Sequence, residues 1–141
     1  MQIKIKKLHT DSKIPTYGHS GDAGMDFYAY DSVTFQPLSQ MRVHTGVAIE
    51  IPEGHVGLVW DKSGISFNMG LKIMGGVIDS GYRGEIIMSL LNTTNKEVVL
   101  EKGHKIAQML IQKFEVCDIV ETGELSDTVR GEGREGSTGH K

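Results

Sequence analysis

The sequence has little of what a secreted or membrane-anchored chain carries. Its single cysteine, Cys117, excludes an internal disulfide. No apolar run approaches the roughly 20 residues that cross a bilayer, and the N-terminus lacks the apolar core of a signal peptide. We therefore expect a cytoplasmic protein with no membrane partner. Because Cys117 lies in the apolar run 114–120, we expect its thiol to be buried and inert.

An excess of positive charge is also missing. The 15 lysines and arginines are outnumbered by 18 aspartates and glutamates, which gives a net charge of −3. This balance argues against a general nucleic-acid-binding protein, although a few local cations suffice to bind a single nucleotide. The six histidines are scattered without the spacing of metal ligands, so we predict no zinc site.

Proline is scarce, with three residues, whereas glycine is abundant, with 18 in a chain of 141 residues. Short Val/Ile-rich runs separated by turn signals every 8 to 12 residues are typical of an all-β sandwich or barrel. Only the stretch 61–70 lacks strand alternation, and we predict at most one short helix near residues 62–70. Trp60, just before it, is expected to be a packing residue.

The stretch 75–86, GGVIDSGYRGEI, concentrates unusual residues between two apolar runs. Its glycines, Asp79 and Ser80 predict a hairpin, with Asp79 and Tyr82 at the rim of a sheet. One interpretation is a plain turn whose residues suit the backbone. The other is a functional site, because strands can hold a carboxylate accurately.

The apolar content collapses from Glu121 onward, and residues 126–141 contain one apolar residue, Val129. Such a segment cannot bury enough surface to order itself. We therefore divide the chain into a β domain, 1–125, and a glycine-rich tail, 126–141. The tail is either a disordered end or a lid that orders on a ligand.

Five segments in order resemble the five motifs of the trimeric dUTPase family: residues 20–29 (SGDAGMDFYA), 61–64 (DKSG), 75–84 (GGVIDSGYRG), 102–110 (KGHKIAQML) and 130–139 (RGEGREGSTG). The resemblance covers nearly the whole chain. It implies an all-β, distorted jelly-roll (β-clip) fold that forms a homotrimer. It also implies hydrolysis of dUTP to dUMP and pyrophosphate with Mg²⁺, at subunit interfaces closed by the C-terminal tail.

The resemblance assigns roles to the third and fourth motifs. Asp79 matches the aspartate that deprotonates the attacking water, and Gln108 matches the glutamine that bonds phosphate or this water. Tyr82 matches the residue that packs against deoxyribose and excludes a 2′-hydroxyl. The backbone of Gly76, Val77 and Ile78 would read the uracil edge.

The remaining motifs imply metal and phosphate contacts. Asp26 matches a carboxylate that acts on magnesium through water, which suits an ion held chiefly by phosphates. The implied phosphate-binding residues of the second and fifth motifs are Lys62, Ser63, Gly64, Arg130, Ser137 and Thr138.

The chain departs from the family pattern in two motifs. Lys62 replaces the usual arginine and Asp61 a frequent proline; lysine keeps the charge but loses the bidentate fork. Arg134 and Glu135 replace a Gly-Phe pair whose phenylalanine stacks on uracil. We therefore expect a lid that contacts phosphate but shields the uracil base less than a lid with the usual phenylalanine does.

Two rival functions stay open. A dCTP deaminase shares the fold, but Ser89 stands where its deaminating glutamate falls, and Asp61 or Glu85 could substitute only with a different geometry. A catalytically weak dUTP-binding trimer would also fit the altered second and fifth motifs.

Overall fold

The computed structural model describes residues 1–133, and these form two main β-sheets around one core. Eleven strands and one helix follow one another in the described chain: β1 (Lys4–Lys7), β2 (Thr16–Tyr17), β3 (Met25–Tyr28), β4 (Val33–Phe35), β5 (Gln40–Glu50), β6 (His55–Trp60), α1 (Ser63–Met69), β7 (Leu71–Met74), β8 (Val77–Ile78), β9 (Glu85–Asn92), β10 (Val98–Leu100) and β11 (Lys105–Lys113). The predicted all-β fold with one short helix is confirmed.

The first sheet has the strand order β1-β5-β9-β7 and the second β2-β3-β11-β6-β8, while β10 pairs with β4. All of the pairs in these sheets are antiparallel. This arrangement fits the jelly-roll class, in which two antiparallel sheets face each other.

The core draws on strands of both sheets. Strand β9 is an example of why these residues form strands, because Ile86, Met88 and Leu90 are buried and alternate with more accessible residues. Phe27 of β3 and Met109 of β11 meet them from the second sheet, and both are fully buried. Apolar burial of this kind is the main stabilising term of a domain.

The predicted hairpin at 75–86 is only partly correct. Strands β7 and β9 do pair, with Met74 opposite Ser89, but the connection between them leaves this sheet. Its middle residues form β8, which pairs with β6 at the edge of the other sheet. The segment therefore links the two sheets. Its glycines permit the change of chain direction that this crossing requires and that a plain hairpin does not need.

Two predictions about single side chains are wrong. Cys117 is exposed, because β11 ends at Lys113 and residues 114–133 run outside both sheets. Trp60 is 56% exposed at the end of β6. In both cases an apolar pattern was taken to mean burial within the chain's own core.

No helix among residues 1–133 has the length and apolar character that crossing a membrane requires. The cytoplasmic location stays a prediction.

Candidate active site

The largest cavity of the described chain, about 690 Å³, opens over the second sheet. Asp26 of β3, Gln108 of β11 and Trp60 of β6 lie opposite one another in neighbouring strands. Directly paired residues of antiparallel strands point to the same face, and all three line the cavity. Lys62, which precedes α1, and Lys105, which begins β11, add two cations to its lining, and Asp22 and Asp61 add two further carboxylates.

Asp26 is the most deeply buried charge in this cavity, with 3% of the residue exposed. Its Oδ1 accepts a hydrogen bond from Lys62 Nζ and its Oδ2 one from Lys105 Nζ, each at 2.7 Å. Burial alone would raise the pKa of Asp26, but the hydrogen bonds from Lys105 and Lys62 outweigh it and hold the pKa below its ordinary value. Asp26 is thus an ionised carboxylate between two ammonium groups.

Gln108 is held by the end of the neighbouring strand. Its Nε2 donates to the carbonyl oxygen of Asp61 at 2.9 Å. Its Oε1 lies against Gly24, where an added Cβ would come within 2.1 Å of that oxygen. The absence of a side chain at Gly24 therefore leaves the space that the amide of Gln108 occupies.

Asp61, which replaces the family's frequent proline, ties this corner to the first sheet. Its Oδ1 accepts a hydrogen bond from the backbone N–H of Ile73 at 2.8 Å, and its Oδ2 pairs with Lys72. Helix α1 follows directly and begins at Ser63, so that Ser63 and Gly64 are exposed at its start. Asp61 thus fixes the position from which the DKSG segment departs.

The segment 75–84 forms a second, more open region, which we call the Asp79 loop. Gly75 and Gly76 adopt φ angles of 79° and 145°, a region that favours glycine. Gly76 accepts a hydrogen bond from the backbone N–H of Val59 at 2.7 Å, and β8 continues this pairing on β6. Asp79 follows β8 directly, with an exposed side chain.

Tyr82 is positioned by hydrogen bonds at the C-terminal end of the Asp79 loop. Its backbone N–H donates to the carbonyl of Asp79 at 3.1 Å, and its hydroxyl donates to the carbonyl of Glu85 at 3.0 Å. Gly84 lies under the ring, since an added Cβ there would come within 2.4 Å of the hydroxyl oxygen. Arg83 donates to the carbonyls of Ser80 and Tyr82 at 2.6 and 2.9 Å and closes the turn.

The structure brings some of the predicted site residues together and keeps others apart. Asp26, Lys62 and Gln108 share the large cavity, whereas Asp79 and Tyr82 are not among its described lining residues. Gly76 and Val77 line a smaller cavity of about 250 Å³. Arg130 is exposed in a turn and donates from Nε to the carbonyl of Gly133 at 3.1 Å. The remaining predicted residues of the tail, Ser137 and Thr138, lie outside the described residues.

Sequence reasoning gave no role to Lys105. The available signal was its place three residues before Gln108 in the fourth motif, but strict strand alternation puts these two side chains on opposite faces. A register shift between Lys105 and Ala107 removes that restriction.

A family model for dUTPase matches residues 10–139. The chain belongs to the dUTPase family. The match spans both the cavity residues and the Asp79 loop.

Two relatives are similar to this chain over nearly the full length of both chains. A deoxyuridine 5′-triphosphate nucleotidohydrolase of Hydrogenobaculum sp. (strain Y04AAS1) is 42% identical, and the alignment covers 100% of both chains. The dUTPase of Staphylococcus bacteriophage 80alpha, solved with dUpNHpp, has a TM-score of 0.92 at 28% identity and covers 98% of each chain.

A further solved structure bears on metal binding. A mutant dUTPase of phage phi11 of S. aureus, described with a structural Mg(II) ion, has a TM-score of 0.82 at 25% identity, over 88% of this chain and 98% of that chain. That description applies to the phage enzyme.

The residues present fit a magnesium ion only through water. Residues 1–133 contain no cluster of three or more His, Cys, Asp or Glu side chains that could hold a metal directly. Both oxygens of Asp26 already accept a lysine hydrogen bond, but a carboxylate has about four acceptor positions in total. Asp26 can therefore accept a hydrogen bond from a metal-bound water without losing its lysines.

Proposed function

We propose that this dUTPase-family chain hydrolyses dUTP to dUMP and pyrophosphate. One observation carries the proposal: a chain matched to the family over 130 of its residues (10–139) folds with Lys62 and Gln108 around a single cavity. A cation and an amide donor are the groups that bind phosphate oxygens.

Asp79 is the general base in this proposal. It removes a proton from a water molecule whose oxygen attacks the α-phosphorus. The bond from the α-phosphorus to the bridging oxygen breaks, and pyrophosphate leaves with that oxygen. General-base assistance of this kind contributes roughly 10²- to 10⁴-fold, and the exposed carboxylate of Asp79 is free to approach a substrate.

The nucleoside is read by β8 and Tyr82. Strand β8 lies at the edge of its sheet, so the outer backbone groups of Val77 and Ile78 have no strand partner among the described residues. An unpaired strand edge offers N–H and C=O groups, which can bond the edge of uracil together with Gly76. The ring of Tyr82, fixed over Gly84, would pack against deoxyribose and leave no room for a 2′-hydroxyl.

The triphosphate is bound by Lys62, Ser63 and Gly64, with Gln108 on phosphate or the attacking water. A bound Mg²⁺ would neutralise phosphate charge. It would be held by the substrate's phosphates and, through water, by Asp26. Asp26 meanwhile fixes the ammonium group of Lys62 at 2.7 Å, so that the cation is in place before substrate arrives.

We further propose that the chain is a homotrimer with sites shared between subunits. The support is the C-terminal segment 114–125, which forms no strand and carries exposed apolar side chains such as Val116, Ile119 and Leu125, each at least 85% exposed. Exposed apolar surface of this kind marks an interaction site. Asp79 and Tyr82 do not line the large cavity of their own chain, and in a shared site a second copy would supply them.

The tail, 126–141, is proposed as the lid on this site, with Arg130, Ser137 and Thr138 on the β- and γ-phosphates. Truncation after Val129 should sharply lower kcat/KM for dUTP and leave the thermal unfolding of the β domain, 1–125, unchanged. A truncated protein with full activity would mean that the tail is no lid.

The deaminase alternative is weakened by the contacts of its candidate carboxylates. Glu85 accepts hydrogen bonds from the backbone N–H of Gly46 and from His44, each at 2.8 Å. Asp61 is engaged with Ile73 and Lys72. Both therefore hold strands in place instead of facing a substrate.

Product analysis tests the proposed function. The protein is incubated with dUTP, dCTP, dTTP or UTP in the presence of Mg²⁺, and products are separated by ion-exchange chromatography. We expect dUMP and pyrophosphate from dUTP alone. Formation of dUTP from dCTP would instead identify a deaminase, and tight dUTP binding without turnover would identify a binding protein.

A further inference from the structure

Asp61 lies where the two main sheets meet, and it bonds each of them through a different atom. Its carbonyl oxygen accepts a hydrogen bond from Gln108 Nε2 of β11 at 2.9 Å. Its Oδ1 accepts one from the backbone N–H of Ile73 in β7 at 2.8 Å, and its Oδ2 pairs with Lys72 of the same strand. One residue therefore connects the amide of Gln108 in the second sheet with the edge strand of the first.

The carboxylate of Asp61 acts as an anchor on β7. Its side chain is 24% exposed, and it satisfies a backbone N–H at the edge of the first sheet. A carboxylate beside a cavity that receives a polyanion would repel the ligand. Lys72 offsets this negative charge, and Lys72 is not among the described lining residues of the large cavity.

The backbone around Asp61 depends on this anchor. Residues 61 and 62 belong to neither a strand nor a helix, because β6 ends at Trp60 and α1 begins at Ser63. A connecting segment of this kind lacks the regular backbone bonds that fix a strand. The bonds of the Asp61 side chain to β7 supply a fixed point in its place.

The carbonyl of Asp61 determines which way the amide of Gln108 faces. A carbonyl oxygen only accepts hydrogen bonds, so the NH₂ end of the amide turns towards Asp61 and Oε1 turns away from it. Oε1 lies against Gly24, where an added Cβ would come within 2.1 Å. A primary amide has two donor positions, and this bond uses one of them. The second can reach a phosphate oxygen, while Oε1 can accept a hydrogen bond from the attacking water.

We propose that Asp61 is a positioning residue for the reaction: its carboxylate, anchored on β7, fixes its own carbonyl, and this carbonyl orients the amide of Gln108. This inference rests on the proposed function, in which Gln108 contacts phosphate or the attacking water. Asp61 acts only through Gln108. The family's frequent proline at this position would supply the carbonyl without a side-chain anchor.

Kinetics and NMR spectroscopy of the full chain test this inference with Asp61→Ala and Asp61→Asn. The matched control is Asp11→Ala, because Asp11 also pairs with a lysine, Lys102, at 2.8 Å, and lies outside the described lining of the cavity. Steady-state turnover is measured with dUTP and Mg²⁺, and dUMP binding by calorimetry. The side-chain ¹⁵N–¹H signals of Gln108 are assigned with Gln108→Ala and recorded without nucleotide.

We expect Asp61→Ala to lower kcat about tenfold, because a small displacement of a positioned group from a change outside the chemistry slows a reaction by up to about 10²-fold. Binding of dUMP should stay at the wild-type value. The Gln108 proton that is bonded to the Asp61 carbonyl should move upfield. Asp61→Asn keeps an oxygen for the N–H of Ile73, so it should recover most of kcat and the wild-type signal. Asp11→Ala should match the wild type in both measurements.

A purely structural Asp61 would give a different result. A lowered unfolding temperature in Asp61→Ala with wild-type kcat and an unmoved Gln108 signal would overturn the inference. An equal loss in Asp61→Asn and Asp61→Ala would overturn it as well, because the bond to Ile73 would then not be the anchor.

Two further arms keep the test decisive. If Asp61→Ala does not fold, Asp61→Glu replaces it, since its carboxylate keeps the charge but is one methylene too far from the backbone to bond Ile73 in the same way. The same shift and loss of kcat are expected, and their absence overturns the inference. The NMR arm needs no nucleotide, so it decides the role of Asp61 even if the wild type proves unable to hydrolyse dUTP.

Discussion

The large cavity and the Asp79 loop hold their functional groups in opposite ways. In the cavity, Asp26 and Gln108 stand on paired strands, and Asp26 is buried between two lysines. In the loop, Asp79 and Tyr82 are exposed and are positioned by glycine turns and backbone hydrogen bonds. The cavity holds its charged groups in position before a ligand binds, whereas the loop exposes a carboxylate and an aromatic ring to solvent.

This difference predicts how a substitution in each region affects the protein. A change in the cavity displaces neighbours, because charged and amide groups there depend on one another. A change in the loop removes one chemical function and leaves the fold intact.

Asp79→Asn should lower kcat for dUTP by roughly 10²- to 10⁴-fold, the contribution of a general base. Binding of dUpNHpp and the thermal unfolding temperature should stay close to wild type, because the Asp79 side chain is exposed. Steady-state kinetics and calorimetry measure the two effects. Ser80→Ala, at the next position, is the control, and a loss of dUpNHpp binding in Asp79→Asn would show that the residue does more than accept a proton.

Gly24→Ala should lower kcat/KM about 10²-fold without unfolding the protein, by the loss of one positioned hydrogen-bond donor. The new methyl group would overlap Gln108 Oε1. The amide can move away, but it then loses the hydrogen bond that Nε2 donates to the carbonyl oxygen of Asp61. Kinetics and thermal unfolding are compared with Gly123→Ala, where no atom lies within 4 Å of an added Cβ. Unchanged kinetics in Gly24→Ala would remove Gln108 from the mechanism.

Tyr82→Ala should reduce the preference for dUTP over UTP by about tenfold to a hundredfold, because a steric exclusion of this size is worth roughly 1–3 kcal/mol. The measurement is the ratio of kcat/KM for the two nucleotides. Tyr82→Phe keeps the ring but loses the hydroxyl bond to the Glu85 carbonyl, so it should retain most of the preference. If both variants discriminate like the wild type, the ring is not the sugar gate.

Glu85→Gln should have the smallest effect, a loss of about 1 kcal/mol in the free energy of unfolding at pH 7. Burial would raise the pKa of Glu85, but hydrogen bonds from His44 and Gly46 hold it below its ordinary value of 4.5. A lowered pKa means that the stabilisation is present above that value and is lost as the pH falls through the folded pKa. Urea unfolding should therefore separate wild type from Glu85→Gln at pH 7 and not at pH 3.

Exposed Glu121→Gln is the control for this comparison, and it should match the wild type at both pH values. A gap between wild type and Glu85→Gln that is as large at pH 3 as at pH 7 would show that Glu85 stabilises without its charge.

The sequence predicted the elements that depend on local pattern. The helix expected near 62–70 is α1, Ser63–Met69. Strand alternation and turn residues carry this information because they are set by neighbours in the chain. Asp26, Lys62 and Gln108, which come from three different motifs, lie around one cavity, and their roles stay predictions.

What the sequence could not predict depends on distant contacts. A register shift against β3 determines the face of β11 on which Lys105 lies. The pairing of β8 with β6 determines the path of the Asp79 loop. The exposure of Trp60 and Cys117 was not predicted, because an apolar residue type does not show whether the side chain packs within its own chain.

In the proposed trimer, the cavity of one subunit works with the Asp79 loop of another. Chains carrying Asp79→Asn and chains carrying Gln108→Ala, each nearly inactive alone, are unfolded together, refolded as a mixture and assayed with dUTP. If sites are shared, about a quarter of the sites in a random mixture receive both intact groups, and activity should rise to about that fraction of wild type. Activity no higher than that of the separate variants would contradict the account and place both groups of each site on one chain.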